Sequence, residues 1–489
     1  MVEVPEPLGE GLETSRPGAQ RSRGLVACVD FGSTFTKAAL VDTGTGELLA
    51  TASHRTTVDT DVLDGWEACR ASLARTDPRA GDAEVLACSS AGGGLRIAVV
   101  GNEELVTAEA GRRVALSSGG RVVHVASGPP SARWLRDLRS SDPDVVLLVG
   151  GTDGGNAEVL LSCAGALAEH HWSGPVVVAG NVDARTEVAG LLDAAGTPYV
   201  LADNVVPRIG VLAPESARQA IREMFLRHVI GGKHLSSDAG FRRMVRAATP
   251  DAVLTGVELL ARGLDEARPG VGDVAVVDVG GATTDVHSVV EQDPEDAGLA
   301  REVVATLALS RTVEGDLGMR WSAVSTVEEG VAAGLVDEGE APRLRQAAFA
   351  RREDPALLPA SAAERRDDEA LATVAVGVAL RRHAGRRQVV YGPDGRVVER
   401  SGKDLREVAV LVGSGGVLRA QGPEVAARVL GSVTEEHGVA AGWQLPRAPR
   451  VVVDSDYVLA AAGLLAAEHR EAAHALLAPL RRAGTARRG

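Results

Sequence analysis

The sequence predicts an α/β protein in which two strand-rich units flank a separate α/β module and a helical segment interrupts the second unit. Three observations carry this. An aliphatic run, Leu25-Val26-Ala27-Cys28-Val29, opens one strand-rich stretch, and a second, Val274-Ala275-Val276-Val277, opens another in the same way. Between them, from about residue 142 to 230, apolar runs of strand length alternate with helical periodicity, the signature of a parallel sheet with covered faces. At 489 residues the chain has the length of several domains of ~150 residues each.

Residues 1–23, with prolines at 5, 7 and 17 and no apolar period, read as a disordered leader. The run 25–29 ends in Asp30-Phe31-Gly32-Ser33, and Lys37-Ala38-Ala39-Leu40-Val41-Asp42 reads as a second strand. After the turn Thr43-Gly44-Thr45-Gly46, Glu47 to Ala52 supplies a third, so residues 24–141 open as an antiparallel meander and not as a dinucleotide-binding βαβ unit. Within 142–230, Val145–Val149, Pro175–Ala179 and Tyr199–Leu201 are strands, and 157–170 and 184–195 are helices. A helical passage (215–230) and the loop Gly231-Gly232-Lys233 lead into a helical connection over 231–270. The second strand-rich unit spans 271–489. It contains an Ala-, Glu- and Arg-rich helical segment over 321–386 and returns to strand at Glu407–Val412. A weak duplication is visible: aliphatic strand, Asp, apolar residue, Gly, small residues and Thr occur at 25–36 and again at 274–284.

Composition narrows the partners. Acidic side chains (66) outnumber basic ones (52), giving a net charge of -14 that repels nucleic acid and anionic lipid. Aromatics are only 3% of residues, which leaves few platforms for base stacking and predicts an aliphatic core. No apolar run has the ~18 residues of a membrane span and no secretory signal pattern opens the chain, so no membrane partner and a cytoplasmic location are expected. Cys28, Cys69, Cys88 and Cys163 have no metal-ligand spacing and read as reduced, buried thiols.

Three segments carry the chemistry: Asp30-Phe31-Gly32-Ser33-Thr34-Phe35-Thr36-Lys37, Asp278-Val279-Gly280-Gly281-Ala282-Thr283-Thr284-Asp285, and Val412-Gly413-Ser414-Gly415-Gly416-Val417. In the first two, glycine lets a hairpin backbone come close to phosphate, amides and hydroxyls donate to its oxygens, and the leading Asp can hold hydrated Mg2+. In the third, a strand ending in glycines before a helix permits a flat ligand to lie against backbone. Singly, each is an ordinary turn. In this order, each after an aliphatic strand, they resemble the phosphate hairpins and adenosine loop of the actin-like ATPase superfamily.

That resemblance implies two ribonuclease-H-like domains closing on Mg-ATP, with Lys37 at the position of actin's phosphate-contacting lysine. A narrower one follows when Leu148-Val149-Gly150-Gly151-Thr152-Asp153-Gly154-Gly155-Asn156, Ala179-Gly180-Asn181 and Asp203-Asn204-Val205-Val206-Pro207 are added: over roughly residues 24–470 the chain resembles the GlmL/MutL family. Membership implies an accessory or reactivating ATPase for an adenosylcobalamin-dependent mutase, glutamate mutase, as partner. The shared name with mismatch-repair MutL is a coincidence that the acidic charge and actin-type hairpins bear out.

The implied site is Asp278 and Asp30 as catalytic and magnesium-holding carboxylates. Gly32, Ser33, Thr34, Lys37, Gly280, Gly281, Thr283, Thr284, Gly413, Gly415 and Gly416 are placed around ATP. Asp278 is preferred for orienting the attacking water and Asp30 for the hydrated metal. Each residue also has a plainer reading: turn aspartates, a solvated lysine, and threonines chosen for β-propensity. The glycines of 150–156 read as a tight βα turn or a ligand contact, with the turn favoured; Asp454-Ser455-Asp456 reads as a helix N-cap; His170-His171 as the surface end of a helix. No His or Cys grouping offers a cobalamin ligand, and no GxSxG context supports a covalent nucleophile. Two other functions share the superfamily: a small-molecule kinase or ATP-dependent amidohydrolase, and a polymerising scaffold.

Overall fold

β1 (Leu25–Phe31) is aliphatic on both faces because both are covered, and the next two segments turn back beside it. The computed structural model describes residues 24–102, 104–291, 307–392, 395–434 and 442–482; the leader expected over 1–23 lies outside them. β2 (Phe35–Asp42) pairs antiparallel with β1, and β3 (Leu48–Arg55) antiparallel with β2, as the meander predicts. β4 (Glu84–Ser89) joins β1 in parallel, and β10 (Val245–Ala248) joins β4 in parallel. The first sheet is therefore ordered β10-β4-β1-β2-β3.

Between β4 and β10 the chain leaves to build an all-parallel sheet. Its strands are β5 (Leu95–Gly101), β6 (Gly120–Ser127), β7 (Val145–Leu148), β8 (Val176–Val178) and β9 (Tyr199–Leu201), ordered β6-β5-β7-β8-β9. The helices Glu158–Glu169 and Arg185–Ala195 lie where the periodicity predicts them. The module draws in β5 and β6, ahead of the expected boundary at 142. β5 pairs in parallel with β7, which lies beyond that boundary, and β6 pairs with β5, so pairing across the boundary assigns both to the module. The expected helical connection over 231–270 likewise hides β10. Val245-Arg246-Ala247-Ala248 is too short and alanine-rich to signal a strand, and parallel pairing with β4 at the sheet edge makes it one.

The second unit repeats the first. After the small hairpin β11 (Gly263–Asp265) and β12 (Arg268–Pro269) come β13 (Val274–Val279), β14 (Thr284–Val289) and β15 (Leu309–Glu314), an antiparallel meander. The helices Ala323–Ala332, Ala341–Glu353 and Ala362–His383 fill the expected helical segment. A hairpin of β16 (Arg386–Gly392) and β17 (Gly395–Ser401) follows them. β18 (Val410–Ser414) and β19 (Arg450–Val453) then add in parallel, giving the order β15-β14-β13-β18-β19. Strand for strand, in order and direction, this is the first sheet again.

The two sheets meet through a shared aliphatic core. Val26, Cys28 and Val41 of the first sheet and Val274, Val276 and Val412 of the second enclose two helices, Thr249–Arg262 and Val458–Leu465. These helices cross at glycine. A Cβ built on Gly256 would stand 2.1 Å from the Leu459 carbonyl oxygen, and one on Gly463 would stand 1.8 Å from that of Ala252. All four cysteines are buried and free, and burial holds each thiol pKa above its usual value. Among the described residues no helix is long and apolar enough to cross a membrane.

Candidate nucleotide site

The site grows from the two matching hairpins. At the end of β1 the Gly32 amide donates to the Phe35 carbonyl at 3.2 Å, and at the end of β13 the Gly280 amide donates to that of Thr283 at 2.9 Å. A Cβ at Gly32 would meet the Phe35 oxygen at 2.6 Å and one at Gly280 the Thr283 oxygen at 2.8 Å, so both turns exclude a side chain there. The first hairpin leaves Ser33 and Thr34 exposed at its tip, while the Thr56 hydroxyl fixes its base by donating to the Gly32 carbonyl at 2.7 Å. The second is braced from behind, where the Met319 and Arg320 amides donate to the Gly280 and Gly281 carbonyls at 3.0 and 2.8 Å.

Equivalent positions differ in the sign of one charge. In the first hairpin Asp30 is paired in register with Lys37, whose ammonium stands 3.9 Å from its carboxylate; in the second Asp278 is paired with Asp285. Asp30 also accepts from the Thr249 hydroxyl at 2.6 Å, which orients it. Burial is the main cause that raises the Asp278 pKa. The Asp285 and Asp30 carboxylates add to the rise, while the Lys37 charge and a hydrogen bond from Ser414 on β18 oppose it. Burial would lower the Lys37 pKa, but the neighbouring Asp30, Tyr457 and Asp278 outweigh it and hold the ammonium above its usual range. Charges on both units thus act on one another across one cleft. Asp285 is anchored in turn by Arg311, which donates to it at 2.7 Å and to the Gly120 carbonyl at the start of β6 at 3.1 Å, a direct contact between the second hairpin and the inserted module.

The third segment closes the floor. Gly415, at φ 107°, packs so tightly on β13 that a Cβ would lie 2.3 Å from the Val279 oxygen, and Gly413 has Leu430 and Leu418 within 2.8 Å of where a Cβ would be. These two glycines serve backbone approach and packing. Gly416 faces open space and is exposed, so it is the glycine of this loop that a ligand can lie against. Gly281 and Thr283 remain half-exposed at the second hairpin. Thr284 needs correction as a phosphate contact: it is fully buried, and strand alternation turns it away from Asp285 into the sheet. Its counterpart Thr36 is also fully buried.

Around the hairpins the structure adds residues the sequence pattern does not single out. Tyr457 sets its ring against Lys37 at 3.7 Å and Arg419 at 4.7 Å, and with Asp30 and Asp456 these line a cavity of about 150 Å3. The available signal was slight: Tyr457 is one of 3 tyrosines, directly after Asp454-Ser455-Asp456. Asp454 caps the following helix by accepting from the Val458 and Leu459 amides at 2.8 and 3.1 Å, as expected, and burial raises its pKa to about 6. The 150–156 loop is knit to itself and its module. The Asn204 side chain donates to the Gly151 carbonyl at 2.9 Å, that of Asn181 to the Gly155 carbonyl at 3.0 Å, and the Asn156 side chain accepts from the Glu158 amide at 2.7 Å, the arrangement of a tight turn.

Magnesium fits this chemistry in its usual protein setting. Among the described residues no group of three or more His, Cys, Asp or Glu is arranged as a metal shell, whereas Asp30 and Asp278 offer one carboxylate each. Mg2+ is commonly held by one or two carboxylates, water and substrate phosphates, so Asp30 would hold it, with Asp278 reaching it only through water.

A twice-repeated sheet of order 3-2-1-4-5 with Asp-Gly hairpins facing one cleft defines the class: this is an actin-like ATPase fold. Within that class the chain belongs to the MutL protein family, whose profile matches residues 26–479. It is 37% identical over 445 residues to Protein MutL of Clostridium tetanomorphum, an alignment covering 90% of this chain and 95% of that one. Solved structures are similar only distantly. The ethanolamine utilization protein EutJ from Carboxydothermus hydrogenoformans is 12% identical, with 92% of this chain and 88% of that one covered and a TM-score of 0.26. Xylulose kinase from Bifidobacterium adolescentis is 13% identical, with 90% and 99% covered and a TM-score of 0.25.

Proposed function

We propose that the chain is an ATP-dependent accessory factor that reactivates an adenosylcobalamin-dependent mutase of the glutamate mutase type. One observation supports the ATP part above the rest: two equivalent hairpins carry Asp30 and Asp278 into a cleft they share with Lys37. The backbone amides of Ser33, Thr34 and Gly281 and the hydroxyls of Ser33, Thr34 and Thr283 receive the phosphates, Gly32 and Gly280 let the two turns come close to them, and Gly416 supports the adenosine side. Magnesium, held by Asp30, would supply charge neutralisation for the phosphates and leave Asp278 free for the attacking water.

Hydrolysis then needs little from the protein beyond position. Water attacks the terminal phosphorus, the bond from that phosphorus to the bridging oxygen breaks, the water's proton passes to Asp278, and ADP and phosphate leave. Its raised pKa makes Asp278 a better proton acceptor than an ordinary aspartate. Nucleotide shifts the two units toward a closed state only by its differential affinity for it, so turnover is slow and the useful output is a change of shape. Arg311, joining Asp285 to the module through Gly120, supports transmission of that change. The mutase partner is supported by family membership.

The test is recovery of activity by glutamate mutase inactivated with hydroxocobalamin and incubated with this protein, adenosylcobalamin and Mg-ATP. Recovery that requires ATP is expected. No recovery, with ATP bound normally, would contradict the reactivation role while leaving the nucleotide site standing.

A further inference from the structure

Tyr457 has a left-handed backbone, φ 56°, a conformation that a bulky aromatic residue adopts only when its surroundings impose it. The result is to bring its ring against two cations of different origin. Lys37 comes from β2 of the first sheet, with its ammonium 3.7 Å from the ring centroid. Arg419 comes from the short helix Gly416–Ala420 that follows the third glycine segment, with its guanidinium carbon 4.7 Å away. The two like charges oppose one another, and the ring's cation–π contacts offset only part of that opposition. A dianionic group placed between them would offset far more. Both cations line the cavity into which Asp30 also faces. Lys37 has one donor directed toward Asp30 and keeps others for an incoming oxygen.

We infer that Lys37 and Arg419 form a two-armed clamp on the outer phosphates of the nucleotide, closing from opposite units of the fold, and that Tyr457 is the positioning residue that holds both arms beside the cavity. This rests on the nucleotide reading of the cleft and adds to it a second phosphate-binding cation and its support.

Calorimetric titration of the full chain with Mg-ATP and with AMP, which lacks the outer phosphates, tests it. Arg419→Gln is expected to weaken ATP binding about tenfold or more and to leave AMP unchanged, with Arg419→Lys intermediate. Tyr457→Phe keeps the ring and is expected to bind ATP within about twofold of the unaltered chain. Tyr457→Leu is expected to weaken ATP severalfold, with a smaller further loss when combined with Arg419→Gln than when introduced alone. Unchanged AMP binding in each variant shows that the cleft is folded. ATP binding by the unaltered chain that neither Arg419→Gln nor Tyr457→Leu weakens overturns the clamp alone. Failure of the unaltered chain to bind ATP overturns the nucleotide reading and the clamp with it.

Discussion

Asp285 stands opposite Asp278 in the β13–β14 register at the position where the β1–β2 register sets Lys37 opposite Asp30. The duplicated sheets therefore make two hairpins of one shape and different electrostatics. One pairs its strand-end carboxylate with a cation, and the other loads a second carboxylate beside it. This asymmetry supports giving Asp30 and Asp278 different roles, which their similar sequence contexts alone do not.

Asp278→Asn should retain Mg-ATP binding and lose turnover, because the amide cannot take the proton of the attacking water. For the unaltered chain, the acid limb of the turnover profile should lie above the ordinary aspartate range, since burial raises the Asp278 pKa and the base form is lost as pH falls through it. Single-turnover hydrolysis measured across pH checks both.

Lys37→Met removes the cation facing Asp30 and the cavity, and should weaken ATP binding by roughly 1.5–3 kcal/mol, the range for a charge-assisted hydrogen bond. Equilibrium titration with ATP measures it.

Thr284→Val should leave ATP affinity unchanged. The Thr284 hydroxyl is buried with no hydrogen-bond partner among the described residues, so its replacement by a methyl group should be neutral or stabilising by about 1 kcal/mol. Chemical denaturation beside a binding titration separates the two effects.

Gly463→Ala should destabilise the junction between the two sheets by about 2 kcal/mol or more, since the new Cβ has backbone and not a flexible side chain in its way. The expected readout is a lower denaturation midpoint.

Asp454 gives a pH signature in stability. Its pKa is about 6 in the fold against an ordinary 3.8, so between these values the folded chain keeps a proton that the unfolded chain releases, and stability from this group falls as pH rises through that window. Asp454→Asn, which can still cap the helix, should remove that slope, with a difference from the unaltered chain of up to roughly 3 kcal/mol at neutral pH. Denaturation midpoints of both proteins between pH 4 and 7 decide it.

The two hairpins were legible because each joins an aliphatic strand to Asp, Gly and hydroxyls within a dozen residues, all local signals. What pairing decides was not. β5 and β6 were not singled out as strands, and pairing across the expected boundary places them in the inserted sheet, while β10 was invisible because four residues of Val, Arg and Ala carry no period. Thr284 shows the reverse limit: a hydroxyl beside a phosphate-type glycine turn looks available until alternation puts it inside the sheet. The Lys37–Tyr457–Arg419 contact joins three distant parts of the chain through one left-handed residue, and no local pattern announces it.

On the function proposed here, the cleft between the duplicated sheets is a Mg-ATP site worked by Asp278. The most direct measurement is ATP binding and single-turnover hydrolysis by the full chain beside Asp278→Asn under the same conditions. Both proteins should bind Mg-ATP, and only the unaltered chain should convert it to ADP and phosphate. Absence of binding by the unaltered chain, or full turnover by Asp278→Asn, would contradict it.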